Sequence, residues 1–433
     1  MTDNIAKKSG VEKNALNKVP MSERQPWGSI ALIWIGTMIC IPSLMLGGLL
    51  VTGLTLTKSL LAAFIGYLII AVYMCFQGMQ CTDMGLPTVS AARMVFGEKG
   101  SKIVISTVLA IACLGWFGFQ TNVCGSAFSG ILNSVFGINI PVWISSLIWG
   151  FIMLATAIYG FKALEYLNYI AVPALILVSV YGAYIAISKY GTTILSTHQP
   201  STPFPFLQGI AMAVGSFAVG GVIAGDYSRY AKNRGDCIKS SVFGVLPAGL
   251  IMITLGAVMS LLAGTYDISL VLTQLGVPAF GLIALILATW TTNTVNAYSG
   301  GLAITNIFGL DDSKRSIATA AAGILGTVLA IAGIINYFVS FLMILTSSIP
   351  PIAGTMIADY WIIKKGDVSK CKIQKGVNWA GILSWLAGSI IAITVKIGIQ
   401  PINGIIVSMI VYLVLVNIME KSAVKVKPDR QTE

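Results

Sequence analysis

Apolar runs long enough to cross a bilayer recur twelve times in this chain, near 28–52, 59–80, 103–127, 140–160, 166–188, 206–228, 238–263, 278–306, 316–334, 335–360, 377–396 and 400–419. In hydrocarbon the backbone must satisfy its own polar groups, which leaves helices of about 20 apolar residues as the simplest crossing element. The pattern therefore predicts an all-α integral membrane protein with twelve transmembrane helices. Only Gly333 to Asn336 separate the ninth run from the tenth. Two runs are interrupted at matching places in the two halves. The first carries Gly36, Pro42, Gly47 and Gly48, and the sixth carries Gly215, Gly220, Gly221 and Gly225. A matched pair of interrupted spans points to the binding site of a secondary transporter. Glycine and proline also occur in membrane helices simply to pack or kink them.

Charge orients the chain. Only 10% of residues are charged, against about 25% in soluble domains. With the N-terminus inside, all but three of the 27 Lys and Arg fall on the inner side. The three exceptions are Lys58, Lys189 and Lys396. That asymmetry follows the positive-inside rule and places both termini in the cytoplasm of a cell (inner or plasma) membrane. The net charge of +11 then reflects topology, and no nucleic-acid partner is implied. The expected division is a polar, disordered tail over 1–25, a transporter domain over 26–420 and a second tail over 421–433. No cleavable signal peptide is read at the N-terminus, because the first apolar run begins late and is long. The seven cysteines form no metal or disulfide pattern. The one histidine, His198, is read as a solvated loop residue.

No Asp, Glu, Lys, Arg or His lies near the middle of any run; Asp83, Glu165, Asp226, Asp359 and Glu420 stand at the ends. A buried carboxylate relay is therefore not expected, and a driving ion would need neutral oxygen ligands. The eighth run supplies them at mid-depth in Ala288-Thr289-Trp290-Thr291-Thr292-Asn293-Thr294-Val295-Asn296. The hydroxyls of Thr291 and Thr292, with carbonyls freed near Gly36 and Ile39, would suit sodium. Threonines in membrane helices also bond their own backbone four residues back. In the third run Trp116 and Gln120 are four apart and share a face. An indole and an amide suit a flat heterocycle, and Phe217, after Gly215-Ser216, would supply a second ring. Such rings more often serve packing. The repeated Asp-Tyr pairs, Asp226-Tyr227 and Asp359-Tyr360, suggest either a gate or, preferably, structural ties.

The Gly-Trp-Phe-Gly run at 115–118, Gly215-Ser216-Phe217, the Asp226 motif, Trp290-Thr291-Thr292-Asn293 and Ile349-Pro350-Pro351 through Asp359-Tyr360 occur in order on successive spans. Together they resemble the nucleobase:cation symporter-1 family, and within it the bacterial cytosine permeases, over essentially the whole membrane region. The resemblance implies a five-plus-five inverted repeat of the leucine-transporter type with two extra C-terminal helices. It implies a base held between Trp116 and Phe217, and sodium held by Gly36, Ile39, Ala288, Thr291 and Thr292. The family's cytosine branch has a Gln where this chain has Cys113, while Gln120 matches a Gln of the hydantoin branch. A further polar position of the family is Val219 here. The expected substrate set is thus Cys40, Cys113, Trp116, Gln120, Gly215, Ser216 and Phe217, with Asn293 and Asn296 for the remaining hydrogen bonds. The expected function is sodium-coupled import of cytosine or a related base by a monomeric symporter, with no cofactor and no enzymatic activity. The alternative is a proton-coupled permease for purines, hydantoin or allantoin.

Overall fold

Odd-numbered repeats invert. After five crossings the chain starts its second half from the opposite side of the membrane, so two similar halves must be related upside down. The computed structural model describes residues 18–159, 161–200, 202–263, 265–277, 279–310 and 314–425, and its packing follows this rule. The first span consists of helices Trp27–Met38 and Ile41–Gly53, bent by 56°. The second to fifth are Leu56–Met84, Glu98–Phe136, Val142–Tyr159 and Phe161–Tyr190. The sixth is Phe206–Val222 and the seventh Arg234–Ala263, followed by Ala279–Phe308 and Arg315–Ile331. The tenth joins Phe338–Ser348, Pro350–Ile357 and a π-helical turn Ala358–Ile363. Trp379–Thr394 and Gln400–Lys425 close the chain.

Spans 1, 2, 6 and 7 pack on one another as a bundle, and spans 3, 4, 8 and 9 as a scaffold. The contacts map onto themselves when each span is exchanged with the one five places on. Span 1 packs on 7 as 6 packs on 2, 3 on 9 as 8 on 4, and 5 on 7 and 8 as 10 on 2 and 3. Spans 11 and 12 pair with each other and cover span 10. Burial follows position: 83% of the tenth span's apolar window is inside the protein, but only 17% of the twelfth's.

Local chemistry sets the two breaks. In the first span Ile39 and Cys40 leave helical geometry, and Pro42 lies in the first turn of the second half-helix. Proline has no N–H to continue the ladder, and its fixed φ suits a helix start. The Ser43 hydroxyl caps one freed carbonyl, donating to Met38 O at 2.9 Å. In the sixth span the break is Phe217 itself, with φ −133° and ψ 17°. Gly47 and Gly48, expected among the interruptions, lie inside a continuous helix. A Cβ at Gly47 would overlap the Ile253 carbonyl of the seventh span, so that glycine serves close packing. The ninth and tenth spans part at Gly333, whose φ of +78° ends the helix.

Other expectations also shift. The third span runs from Glu98 to Phe136, well beyond 103–127 at both ends. Residues 18–25 of the expected tail are fixed: Arg24 Nη1 donates to Thr82 O (2.7 Å) and Ala231 O (2.8 Å), and Val19 is buried. Residues 1–17 and 426–433 lie outside the described residues, as do the side chains of Glu165 and Glu420. His198 is not simply solvated; its Nε2 sits 2.8 Å from Val51 O and ties its loop to the first span.

Candidate binding site at the two helix breaks

Helical spacing puts Leu109, Cys113, Trp116 and Gln120 on one face of the third span. Leu109 lines an apolar cleft with Ile105 and Val108, opposite Val219 of the sixth span and Ile349 of the tenth. The Leu109 end of this face therefore looks at the sixth span just past its break. Trp116 is half-buried, with Phe341 edge-on at 5.1 Å and Phe338 at 6.0 Å between ring centroids. Both phenylalanines belong to the tenth span. The third span approaches them closely, because a Cβ at Gly115 would overlap the Phe341 ring. Gln120 is 1% exposed, and its amide oxygen has no hydrogen-bond partner. An orphan buried acceptor costs about 1–3 kcal/mol, so this atom calls for a donor. Cys113 is buried, with its Cβ against Gly300 of the eighth span.

At the sixth-span break, Ser216 and Phe217 are half-buried. Phe217 lies over Gly220 and meets Trp34 edge-on at 6.0 Å. Gly215 lets the tenth span close down on the sixth: a Cβ there would overlap Leu342 O, and Thr346 Oγ1 donates to Ala211 O at 2.5 Å. The Ser216 hydroxyl donates to Ala213 O at 2.8 Å and stands 3.4 Å from the Tyr67 hydroxyl. Cys40 Sγ is 3.4 Å from Ser43 Oγ at the first break.

The polar stretch of the eighth span divides by face. Trp290 turns to the fourth span, where Nε1 donates to Thr156 Oγ1 at 3.1 Å and the ring meets Trp149. Asn293 is fully buried; its Nδ2 donates to Phe117 O at 3.0 Å and to Thr121 Oγ1 at 2.9 Å. Asn296 is half-buried and donates to Asn293 Oδ1 at 3.2 Å. Thr291 and Thr292 both donate to Ala288 O, at 3.1 and 2.9 Å. This is the local back-bonding of membrane threonines. It also gathers three oxygens at one place, and each hydroxyl keeps acceptor lone pairs. Gly36 is exposed, with open space where a Cβ would stand, and Ile39 is half-buried.

The Asp-Tyr pairs act as ties at the Lys/Arg-rich end. Asp226 Oδ1 accepts from Thr88 N at the start of helix Thr88–Phe96 (2.9 Å), a favourable place for an anion. Asp359 pairs with Lys364 at 2.5 Å and accepts from the Tyr412 hydroxyl at 3.0 Å. The Tyr360 hydroxyl donates to Asp83 at 2.6 Å, and Asp83 also receives Arg234 at 2.7 Å. At the opposite end, outside the spans, Asp267 caps helix Ile268–Gln274. Burial raises the pKa of its carboxyl, and the Ser269 hydroxyl and amide work against that shift. The residues that sequence reasoning missed are Tyr67, Phe338 and Phe341, together with Gln77 and Gln80. The last two are buried glutamines whose amide oxygens lack partners. A Gln-x-x-Gln pair inside an apolar run was the available signal for them.

Two inverted five-span repeats, each opened by a broken helix, with polar groups and rings gathered at the breaks, define a secondary transporter. Solved structures share this fold. The inward-facing conformation of Mhp1 superposes with a TM-score of 0.84 at 22% identity, covering 95% of this chain and 96% of that one. Mhp1 in a closed conformation with bromovinylhydantoin bound, described as a nucleobase-cation-symport-1 family transporter, gives 0.76 at 21% identity, covering 96% and 97%. Cytosine permease of Escherichia coli strain K12 is 31% identical over 405 residues, 93% of this chain and 94% of that protein. Residues 18–415 match the model of the permeases for cytosine/purines, uracil, thiamine, allantoin, and the chain belongs to that family. It is thus a multi-pass membrane permease of the leucine-transporter type of fold, and its family members transport rather than catalyse.

Proposed function

We propose that this permease imports a nucleobase, cytosine or a related purine or pyrimidine base, driven by the sodium gradient through alternating access. Gln120 carries the reading. Its orphan amide oxygen, on the helical face that also bears Trp116, awaits an N–H donor such as the edge of a base. Trp116 and Phe217 offer ring faces to the same flat ligand, and stacking contributes about 1–3 kcal/mol per base. Asn296, held by Asn293, supplies a further amide. Cys40, Cys113, Gly215 and Ser216 complete the walls.

Sodium would sit on Ala288 O and the Thr291 and Thr292 hydroxyls, with the Gly36 and Ile39 carbonyls closing the cage. Such a cage joins the bundle to the scaffold across the first and eighth spans. Sodium would favour the conformation in which those two spans stand at the cage distance. A base between the third and sixth spans would favour closure, each ligand shifting the equilibrium by its differential affinity. The Lys/Arg asymmetry supports a cell-membrane location with both termini cytoplasmic. A second reading keeps the site and exchanges the ligand for hydantoin or allantoin, with proton coupling. The hydantoin bound in Mhp1 and the Cys113 and Gln120 arrangement favour that ligand class; the span centres, empty of Asp, Glu, Lys, Arg and His, weigh against the proton. Replacing Thr292 with alanine in proteoliposomes tests the cation. Loss of sodium-stimulated uptake with base binding retained is expected, and unchanged sodium stimulation would overturn the site.

A further inference from the structure

Tyr67, on the second span, is 1% exposed, and its ring is fixed from behind: a Cβ at Gly249 of the seventh span would overlap it. Its hydroxyl reaches the gap between the two breaks. On one side it lies 3.4 Å from Ser216 Oγ, one residue before Phe217. The Ser216 proton is donated to Ala213 O at 2.8 Å. That proton is shared with the Tyr67 oxygen, which accepts it at 3.4 Å and keeps its own O–H to donate elsewhere, each hydroxyl having one proton and two lone pairs. On the other side it faces the Ser43 hydroxyl and the Cys40 thiol. Ser43 in turn holds Met38 O at 2.9 Å, beside Ile39, and touches Cys40 Sγ at 3.4 Å. A chain of polar contacts thus runs from the carbonyls around Ile39, through Ser43 and Tyr67, to the backbone that aims Phe217.

We infer that Tyr67 is a positioning residue that couples the two ligands. Ordering the first break around a cation moves Ser43, and the Tyr67 hydroxyl passes that movement to Ser216 and the ring that receives the base. The inference rests on the sodium-coupled reading above and deepens it.

Coupling between two ligands is reciprocal and is measured as a ratio of affinities. The test is equilibrium binding of radiolabelled cytosine to the purified protein in sodium chloride and in choline chloride, for wild type, Tyr67→Phe and Tyr73→Phe. Tyr73 serves as control because its hydroxyl holds only the sixth span, donating to Ala218 O at 3.2 Å. Loss of one neutral hydrogen bond predicts that Tyr67→Phe lowers the sodium-induced gain in cytosine affinity by about two- to tenfold. Tyr73→Phe should change both affinities by one common factor and leave the gain intact. A merely structural role for Tyr67 would also act equally with and without sodium. A sodium gain in Tyr67→Phe equal to that of wild type overturns the inference alone. A wild type whose cytosine binding is absent or indifferent to sodium overturns the sodium-coupled reading beneath it.

Discussion

Replacing Gln120 with leucine removes the amide while keeping similar bulk, and the consequences differ with and without ligand. The wild-type side chain is buried, with its oxygen unpaired. Deleting that acceptor relieves an unmet desolvation cost of about 1–3 kcal/mol. For a chain of 433 residues, with an unfolding entropy of about 2.1 cal/mol/K per residue, this corresponds to a rise of about 1–3 °C in Tm. With a base bound, the balance reverses. The ligand's polar edge meets a methyl group and loses about 1–3 kcal/mol for each group left unpaired, or about 30- to 25,000-fold in affinity for a two-point contact gone. The assay is thermal unfolding of purified protein in detergent, with and without a saturating base. Gln120→Leu should unfold at slightly higher temperature than wild type when alone and lose the ligand-induced shift. A variant that is no more stable alone and keeps the full shift would refute the reasoning.

Four further substitutions separate neighbouring roles. Asn293→Ala strands Thr121 and the Phe117 carbonyl and should cost about 1–3 kcal/mol of stability, read as a lower Tm; Asn296→Ala should keep Tm and weaken base binding. Gly215→Ala drives a methyl into Leu342 O and Thr346, which must part the sixth and tenth spans at about 1–3 kcal/mol; size-exclusion profiles and Tm after solubilisation read the loss. Trp116→Ala should lower base affinity by about 1–3 kcal/mol while leaving sodium-dependent stabilisation in place, as measured by unfolding in sodium against choline.

Composition and run length carried most of the fold, because a bilayer leaves the backbone few choices. Pro42 marked the first break to within three residues, since a missing N–H acts locally. Gly47 and Gly48 misled for the opposite reason. A glycine that admits a neighbouring backbone has the same letter as one that unwinds a helix, and only the packed seventh span tells them apart. The third span's extra turns were hidden by Glu98, Lys99 and Lys102, which the basic end of the bundle accommodates without ending the helix. In the candidate site, the shared face of Trp116 and Gln120 was legible from a four-residue spacing. The division of labour between Asn293 and Asn296 was not, because it depends on which face meets Phe117 and Thr121 of another span. Tyr67 gave no local signal, since its role comes from lying between two breaks distant in sequence. The Asp-Tyr pairs read as structural ties, and their partners, Thr88, Lys364, Tyr412, Asp83 and Arg234, were beyond sequence reasoning.

The central claim is that sodium drives a base through the gap between Trp116 and Phe217. Uptake of labelled cytosine into proteoliposomes, with and without an inward sodium gradient, tests it most directly. Unlabelled adenine, hypoxanthine, uracil, hydantoin and allantoin serve as competitors. The account predicts sodium-stimulated uptake that unlabelled cytosine or a related base suppresses. Base uptake that ignores sodium and follows an imposed pH gradient would contradict the coupling, and uptake blocked by hydantoin or allantoin but not by any base would contradict the substrate.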